Sequence, residues 1–138
     1  MREIGLMHAI ATGTHKTLMQ ANTTCTATVC DVSKTAISSL RSIADGAGIA
    51  RERVCAFAHD ATAASAQLAE VHADACMLIF TLSALRPADM AGMLTLAQSV
   101  LKPGGRLLVR DYGLFDMPSL RFPAEQKLGE NLYRRYVR

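Results

Sequence analysis

Tryptophan is absent from this chain, and three Tyr and four Phe are its only other aromatics among 138 residues. A core built on large rings is therefore excluded. Half of the residues are hydrophobic, so small aliphatic side chains must do the packing, which suits helices laid on a buried sheet. Charge is also scarce, at one residue in five by composition (20%), too apolar a balance for a disordered chain. None of the four cysteines, Cys25, Cys30, Cys55 and Cys76, forms a C-x-x-C pair, and no Cys/His spacing suits zinc; no metal is expected. Cys30, Cys55 and Cys76 lie in apolar, strand-like runs and read as small buried hydrophobes. No apolar run reaches the roughly 18 residues of a spanning helix. Arg2 and Glu3 interrupt the start, so no membrane association or secretory leader is expected, and the setting reads as reduced and cytoplasmic, with nucleus or mitochondrion as alternatives.

What is present is alternation. Ile4 to Ile10 is a short apolar run, followed by Ala11-Thr12-Gly13-Thr14 and a helix-compatible stretch from His15 to Ala21. "TCTATVCD" (24–31) is rich in β-branched residues and stops at an acid. A helix follows, with Ser33 as its N-cap, apolar residues at helical spacing, and Gly46-Ala47-Gly48 as its end. "RVCAFAHD" (53–60) again stops at an acid, and a helix is expected from Thr62 to Val71. "ADACMLIFTL" (73–82) reads as a strand buried on both faces. Pro87 suits the start of a helix reaching Leu101, closed by Lys102-Pro103-Gly104-Gly105. "RLLVRD" (106–111) is the last strand. The pattern implies an α/β fold, a Rossmann-like doubly wound, mostly parallel sheet with helices on both faces, in a single domain over 1–138.

Ligands of such sheets bind beyond the carboxyl ends of the strands. Asp31, Asp60, the stretch Phe80 to Ser83, and Arg110-Asp111 fall there. Asp31 stands eighteen residues past Gly13, where an acid can accept from a ribose diol. Asp60 can accept from an adenine amino group. The simpler alternative is that each acid caps the helix after it. Arg110-Asp111 has its own plain alternative, an ion pair tying the strand to a loop. From Lys102 onward bases outnumber acids, as a phosphate-bearing partner or merely a solvated face would require.

"CDVSKTAI" (30–37), "DAT" (60–62), "MLIFTLSAL" (77–85), "VLKPGG" (100–105), "RDYGLFDMPSLRF" (110–122) and "KLGENLYRR" (127–135) occur in this order. On these segments the chain resembles the class I S-adenosylmethionine-dependent methyltransferases, and more narrowly the family that makes 3-methylcytidine in tRNA. The last two segments are the specific ones. The resemblance implies S-adenosyl-L-methionine as cofactor, held by Gly13, Asp31, Asp60, Ala61 and Ile79. It places Arg110, Asp111 and Tyr112 at the reacting base and Arg121, Phe122, Glu130, Asn131 and Tyr133 in an RNA-side pocket, with the tRNA anticodon region as substrate. Those residue types can stack on an extruded base, read its edge and contact phosphate.

The ends depart from the family. Its first strand normally runs into E-x-G-x-G-x-G, whereas Met7 to Gly13 here carries Ala9 and Ala11 in glycine places and no acid. Residues 1–22 thus read as a degenerate first strand and loop, and 109–138 as a substrate-side segment. The C-terminal strands that complete the family's sheet are expected to be missing, so a protein partner supplying them is also expected. A catalytically inactive methyltransferase-fold subunit that binds RNA or a partner is the alternative function.

Overall fold

The computed structural model describes residues 2–9, 17, 19–61, 63 and 65–134, with backbone alone given for 2–9, 118 and 119. Five strands form one sheet: β1 (Arg2–Ala9), β2 (Cys25–Asp31), β3 (Val54–Ala58), β4 (Ala73–Ile79) and β5 (Leu101–Arg110). Their spatial order is β3-β2-β1-β4-β5, and every pairing is parallel. The chain winds outward from β1 to β3, then crosses to β4 on the other side. β1 and β4 therefore flank the point where the winding reverses, with Ala9 in register with Ile79. This is the doubly wound sheet that the alternation implied.

Connections between the strands include the helices α1 (Lys34–Gly46), α2 (Ala66–Ala69) and α3 (Pro87–Ser99). α1 forms where its apolar residues recur on one stripe and where Ser33 caps it, the Ser33 hydroxyl accepting from Ala36 N–H at 3.1 Å. It stops because Gly48, at φ 67°, takes a left-handed turn that a Cβ disfavours. The turn is closed by Ile49 N–H donating to the Ala44 carbonyl. Ile37, Leu40 and Ala44 of α1 bury against Ala27 and Val29 of β2 and Ala56 of β3. A second core joins Cys76 and Leu78 of β4 to Leu68 of α2 and Met93 and Ala97 of α3. Met77, between Cys76 and Leu78, packs against the first core instead. The period of two along β4 thus sends side chains to both cores, as a strand covered on both faces requires.

Several boundaries differ from the sequence reading. Of the helix expected over Thr62 to Val71, the described residues form only the single turn Ala66–Ala69, capped by Ser65, whose hydroxyl accepts from Leu68 N–H; Thr62 itself lies outside the described residues. β4 ends at Ile79 and is followed by a short 3-10 turn, Leu82–Ala84. α3 ends at Ser99 rather than Leu101, and β5 already begins at Leu101. Lys102-Pro103-Gly104-Gly105 is therefore a kink inside the strand, marked by a register shift between Ala73 and Ala75. Gly105 is required there: a Cβ would stand 2.9 Å from the Lys102 carbonyl oxygen and 3.1 Å from that of Ala73. Of the helix expected over His15 to Ala21, Thr17 and Met19 to Ala21 are helical, and Met19 joins the first core. Cys30 and Cys76 are buried as read, and Cys25 is buried with them, but Cys55 is exposed, since β3 is an edge strand. Burial pushes the Cys76 thiol up to about 12, and Cys30 beside it adds to the rise.

Beyond β5 come a helical turn, α4 (Met117–Leu120), and an antiparallel pair, β6 (Lys127–Gly129) with β7 (Leu132–Tyr133). This pair is a separate two-stranded sheet and does not extend the main one. Among the described residues β5 is consequently an edge, and Leu107, Leu108 and Val109 are exposed along it.

Candidate functional site

A cleft of about 360 Å³ opens at the carboxyl ends of β2, β3 and β4. Asp31, His59, Asp60, Ala61 and Thr81 are among the residues that line it. Asp31 is the last residue of β2 and is buried, at 3% exposure. One of its carboxylate oxygens accepts from Ser33 N–H at 2.7 Å, and its carbonyl accepts from His59 N–H at 2.9 Å. The Asp60 carbonyl accepts from Ala63 N–H at 2.9 Å, which closes the loop before α2. The alternative that the two acids are helix caps is resolved by their neighbours: Ser33 caps α1 and Ser65 caps α2. Both carboxylate residues instead border one cleft. Thr81, also buried, has its hydroxyl 3.4 Å from the Ile79 carbonyl. An Arg86–Asp89 ion pair at 2.7 Å stands on the rim.

Of the other expected cofactor residues, Ala61 lines the cleft, whereas Ile79 is buried in the sheet beside the end of β1 and does not line it. Gly13 and Ala11 lie outside the described residues. His59, Thr81, Arg86 and Asp89 were not singled out from the sequence as site residues, although Thr81 falls in the Phe80 to Ser83 stretch already marked as a strand end.

The two charges that end β5 go to different partners. Asp111 accepts from Ser83 N–H at 3.0 Å and from Tyr112 N–H at 2.8 Å. Burial works against its charge, but hydrogen bonds from Ser83, Tyr112 and Leu82 outweigh it and hold the carboxyl below the usual carboxylate range. Asp111 thus straps the Leu82–Ala84 turn to the end of β5. The plain alternative for this pair, a tie between strand and loop, is met in part: Asp111 makes the tie by hydrogen bonds and not through an ion pair with Arg110. The Arg110 guanidinium lies 5.8 Å from the centre of the Phe80 ring, within cation–π range. Tyr112 meets the same ring at 5.0 Å between centroids, tilted by 37°.

The residues expected on the RNA side lie at or near the small antiparallel pair. Phe122 stacks on Tyr133, with centroids 5.0 Å apart and planes 17° from parallel. Glu130 and Asn131 form the turn between β6 and β7, Asn131 at φ 57°, a conformation that Asn tolerates well. Arg121, Lys127 and Arg134 are exposed around them. Leu114, Phe115, Met117 and Leu120 are exposed in the segment between β5 and this pair. No group of three or more His, Cys, Asp or Glu able to hold a metal occurs among the described residues, and no helix there is long and apolar enough to cross a membrane.

Comparison with known proteins agrees with this architecture. The family described as "Methyltransferase domain" matches residues 6–105. The tRNA N(3)-cytidine methyltransferase METTL2 of Xenopus tropicalis is 41% identical over 108 residues, covering 77% of this chain and 31% of that protein. Human tRNA N(3)-cytidine methyltransferase METTL6 is 55% identical over 62 residues, 45% of this chain and 22% of its own length. The chain thus spans under a third of these curated relatives. Among solved structures, an O-methyltransferase family protein from Burkholderia thailandensis superposes with a TM-score of 0.72 at 21% identity, over 91% of this chain and 36% of that one. A methyltransferase from Thiobacillus denitrificans in complex with S-adenosyl-L-homocysteine gives 0.62 at 20% identity, over 78% and 41%. Together the reversed winding, the acid-lined cleft at the strand ends and the match over most of the chain show that it belongs to the methyltransferase domain family.

Proposed function

We propose that this chain is the cofactor-binding part of an S-adenosylmethionine-dependent methyltransferase that acts on cytidine N3 of tRNA. One observation carries the reading: Asp31 ends β2, Asp60 lies two residues past the end of the adjacent β3, and both border the same cleft, while serines do the capping that would otherwise explain them. A buried carboxylate at the first position suits a ribose diol, and a second acceptor one strand further suits an adenine amino group. The donor set and the cleft fit such a nucleoside. When bound, S-adenosylmethionine supplies an electrophilic methyl group on sulfur.

The chain's own residues would then orient and exclude. Asp31 holds the ribose end and Asp60 and Ala61 the adenine end, while Ile79, outside the cleft lining, packs beside the end of β1. Asp111 fixes the turn between cleft and β5, and Arg110 and Tyr112 face the acceptor base. Phe122 and Tyr133, with Arg121, Glu130 and Asn131, present stacking, phosphate-binding and edge-reading groups to RNA. Placing a ring nitrogen in line with the methyl group is most of what the reaction requires. A tRNA substrate would set the protein inside the cell, in the cytoplasm by the simplest account.

The alternative, a methyltransferase-fold subunit that binds RNA or a protein partner without catalysis, draws on Ala9 and Ala11, which stand where the family carries glycine. Calorimetric titration of S-adenosylmethionine into the purified chain separates the two. Saturable binding, followed by methyl transfer to tRNA, is the expected result. A folded chain with no heat of binding refutes the catalytic reading.

A further inference from the structure

Phe80 has a backbone that its residue type disfavours. Its φ is 51°, in the left-handed region that a bulky side chain adopts only when its surroundings impose it. The imposition is visible. Phe80 N–H donates to the Arg110 carbonyl at 2.8 Å, and three residues on, Asp111 holds Ser83. The ring is not spent on packing, since Phe80 belongs to neither buried core. It is half-buried, against Tyr112, itself 40% exposed, and under the Arg110 guanidinium. Its position is set by its neighbours in sequence. Ile79 before it pairs with Ala9 at the winding reversal, and Thr81 after it lines the cleft.

We propose that the Phe80 ring, backed by Tyr112, is the face on which the acceptor base of the RNA stacks, and that the left-handed backbone at Phe80 sets the angle of that face. The proposal rests on the RNA methyltransferase reading above and adds to it a substrate-contacting residue just past the end of β4, outside the "RDY" motif. An unpaired base offers a π-face irrespective of its identity; the Arg110 guanidinium, over the ring in the free chain, would move to the phosphate next to that base as the base takes its place.

The test uses fluorescence anisotropy with a short, fluorescein-labelled, cytidine-rich single-stranded RNA, a duplex of the same sequence, and three variants. Phe80→Leu removes the ring and keeps much of its bulk. Phe80→Asn removes the ring but suits the left-handed backbone, so it stays folded even if Phe80→Leu does not. Phe80→Trp restores a stacking face. The expected result is that the wild-type chain prefers the single strand, that the Leu and Asn variants each weaken it about 5- to 150-fold, that Trp restores it, and that calorimetric affinity for S-adenosylmethionine is unchanged throughout. Equal affinity of wild type and the Asn variant for the single strand overturns the proposal while leaving the RNA reading intact. Loss that Trp does not rescue also overturns it, by showing a packing role. Failure of the wild type to bind either RNA overturns the RNA reading, and this inference with it.

Discussion

Asp31→Asn isolates the charge on which the cofactor assignment depends. Asn keeps the size of the side chain and an amide oxygen to accept from Ser33 N–H, now at 2.7 Å, so the turn before α1 survives. What changes is the acceptor offered to a diol. A hydrogen bond to a charged group is worth about 1.5–3 kcal/mol against about 0.5–1.5 for a neutral pair. For two ribose hydroxyls the substitution should cost about 2–3 kcal/mol, roughly 30- to 150-fold in Kd. Asp31→Ala goes further by leaving the Ser33 N–H without that acceptor, at about 1–3 kcal/mol of stability. For a chain of this length that is a fall in Tm of about 3–10 °C. The assay is paired: calorimetric titration of S-adenosylmethionine for affinity, and thermal melting of the same samples for the fold. The Asn variant should lose affinity with little change in Tm, and the Ala variant should lose all measurable binding. An Asn variant that binds as the wild type does would refute the assignment of Asp31 to the ribose.

Other consequences can be measured independently. On the proposed reading, Asp111→Ala should spare S-adenosylmethionine binding and abolish methyl transfer, because the Leu82–Ala84 turn loses its strap; retained transfer would make that strap dispensable. Because the folded pKa of Asp111 is depressed, its contribution is present above the ordinary carboxylate value and is lost as pH falls through the lowered one. Melts below about pH 4 should therefore show an acid loss that Asp111→Asn lacks. Gly105→Ala should destabilise by about 1–3 kcal/mol in denaturant titration, since both backbone oxygens close to the new Cβ belong to β4 or the kink itself. Iodoacetamide should modify the exposed Cys55 in the native chain and spare Cys25, Cys30 and Cys76, with all four modified after unfolding; mass spectrometry reads the number.

The order of strands and helices was legible because apolar runs and turn residues alternate so regularly, and Ser33, Pro87 and Gly48 mark boundaries by local chemistry alone. Where the reading drifted, a neighbour in space decided. Pro103 and the glycines look like the end of a helix, yet Ala73 draws Leu101 into the sheet before them. Cys55 sits in an apolar run like the other cysteines, but only the strand order reveals that β3 is an edge. In the site, the acids at strand ends could be found by position, whereas their release from capping depended on two serines further along. The left-handed backbone at Phe80 has no signature in "LIFTLS", because it is imposed by β5 residues thirty positions away.

The bare margin of β5 carries its own safeguard. A second copy pairing antiparallel about Leu108 would set Arg106 of each molecule opposite Arg110 of the other, both exposed. Like charges directly opposed disfavour the pairing, so cations do here the protective work that a covering strand would do elsewhere. Such protection is only as good as the solvent allows. Added salt screens those charges over about 10 Å at 0.1 M while leaving Leu107, Leu108 and Val109 as sticky as before, so the chain is best kept monomeric at low ionic strength.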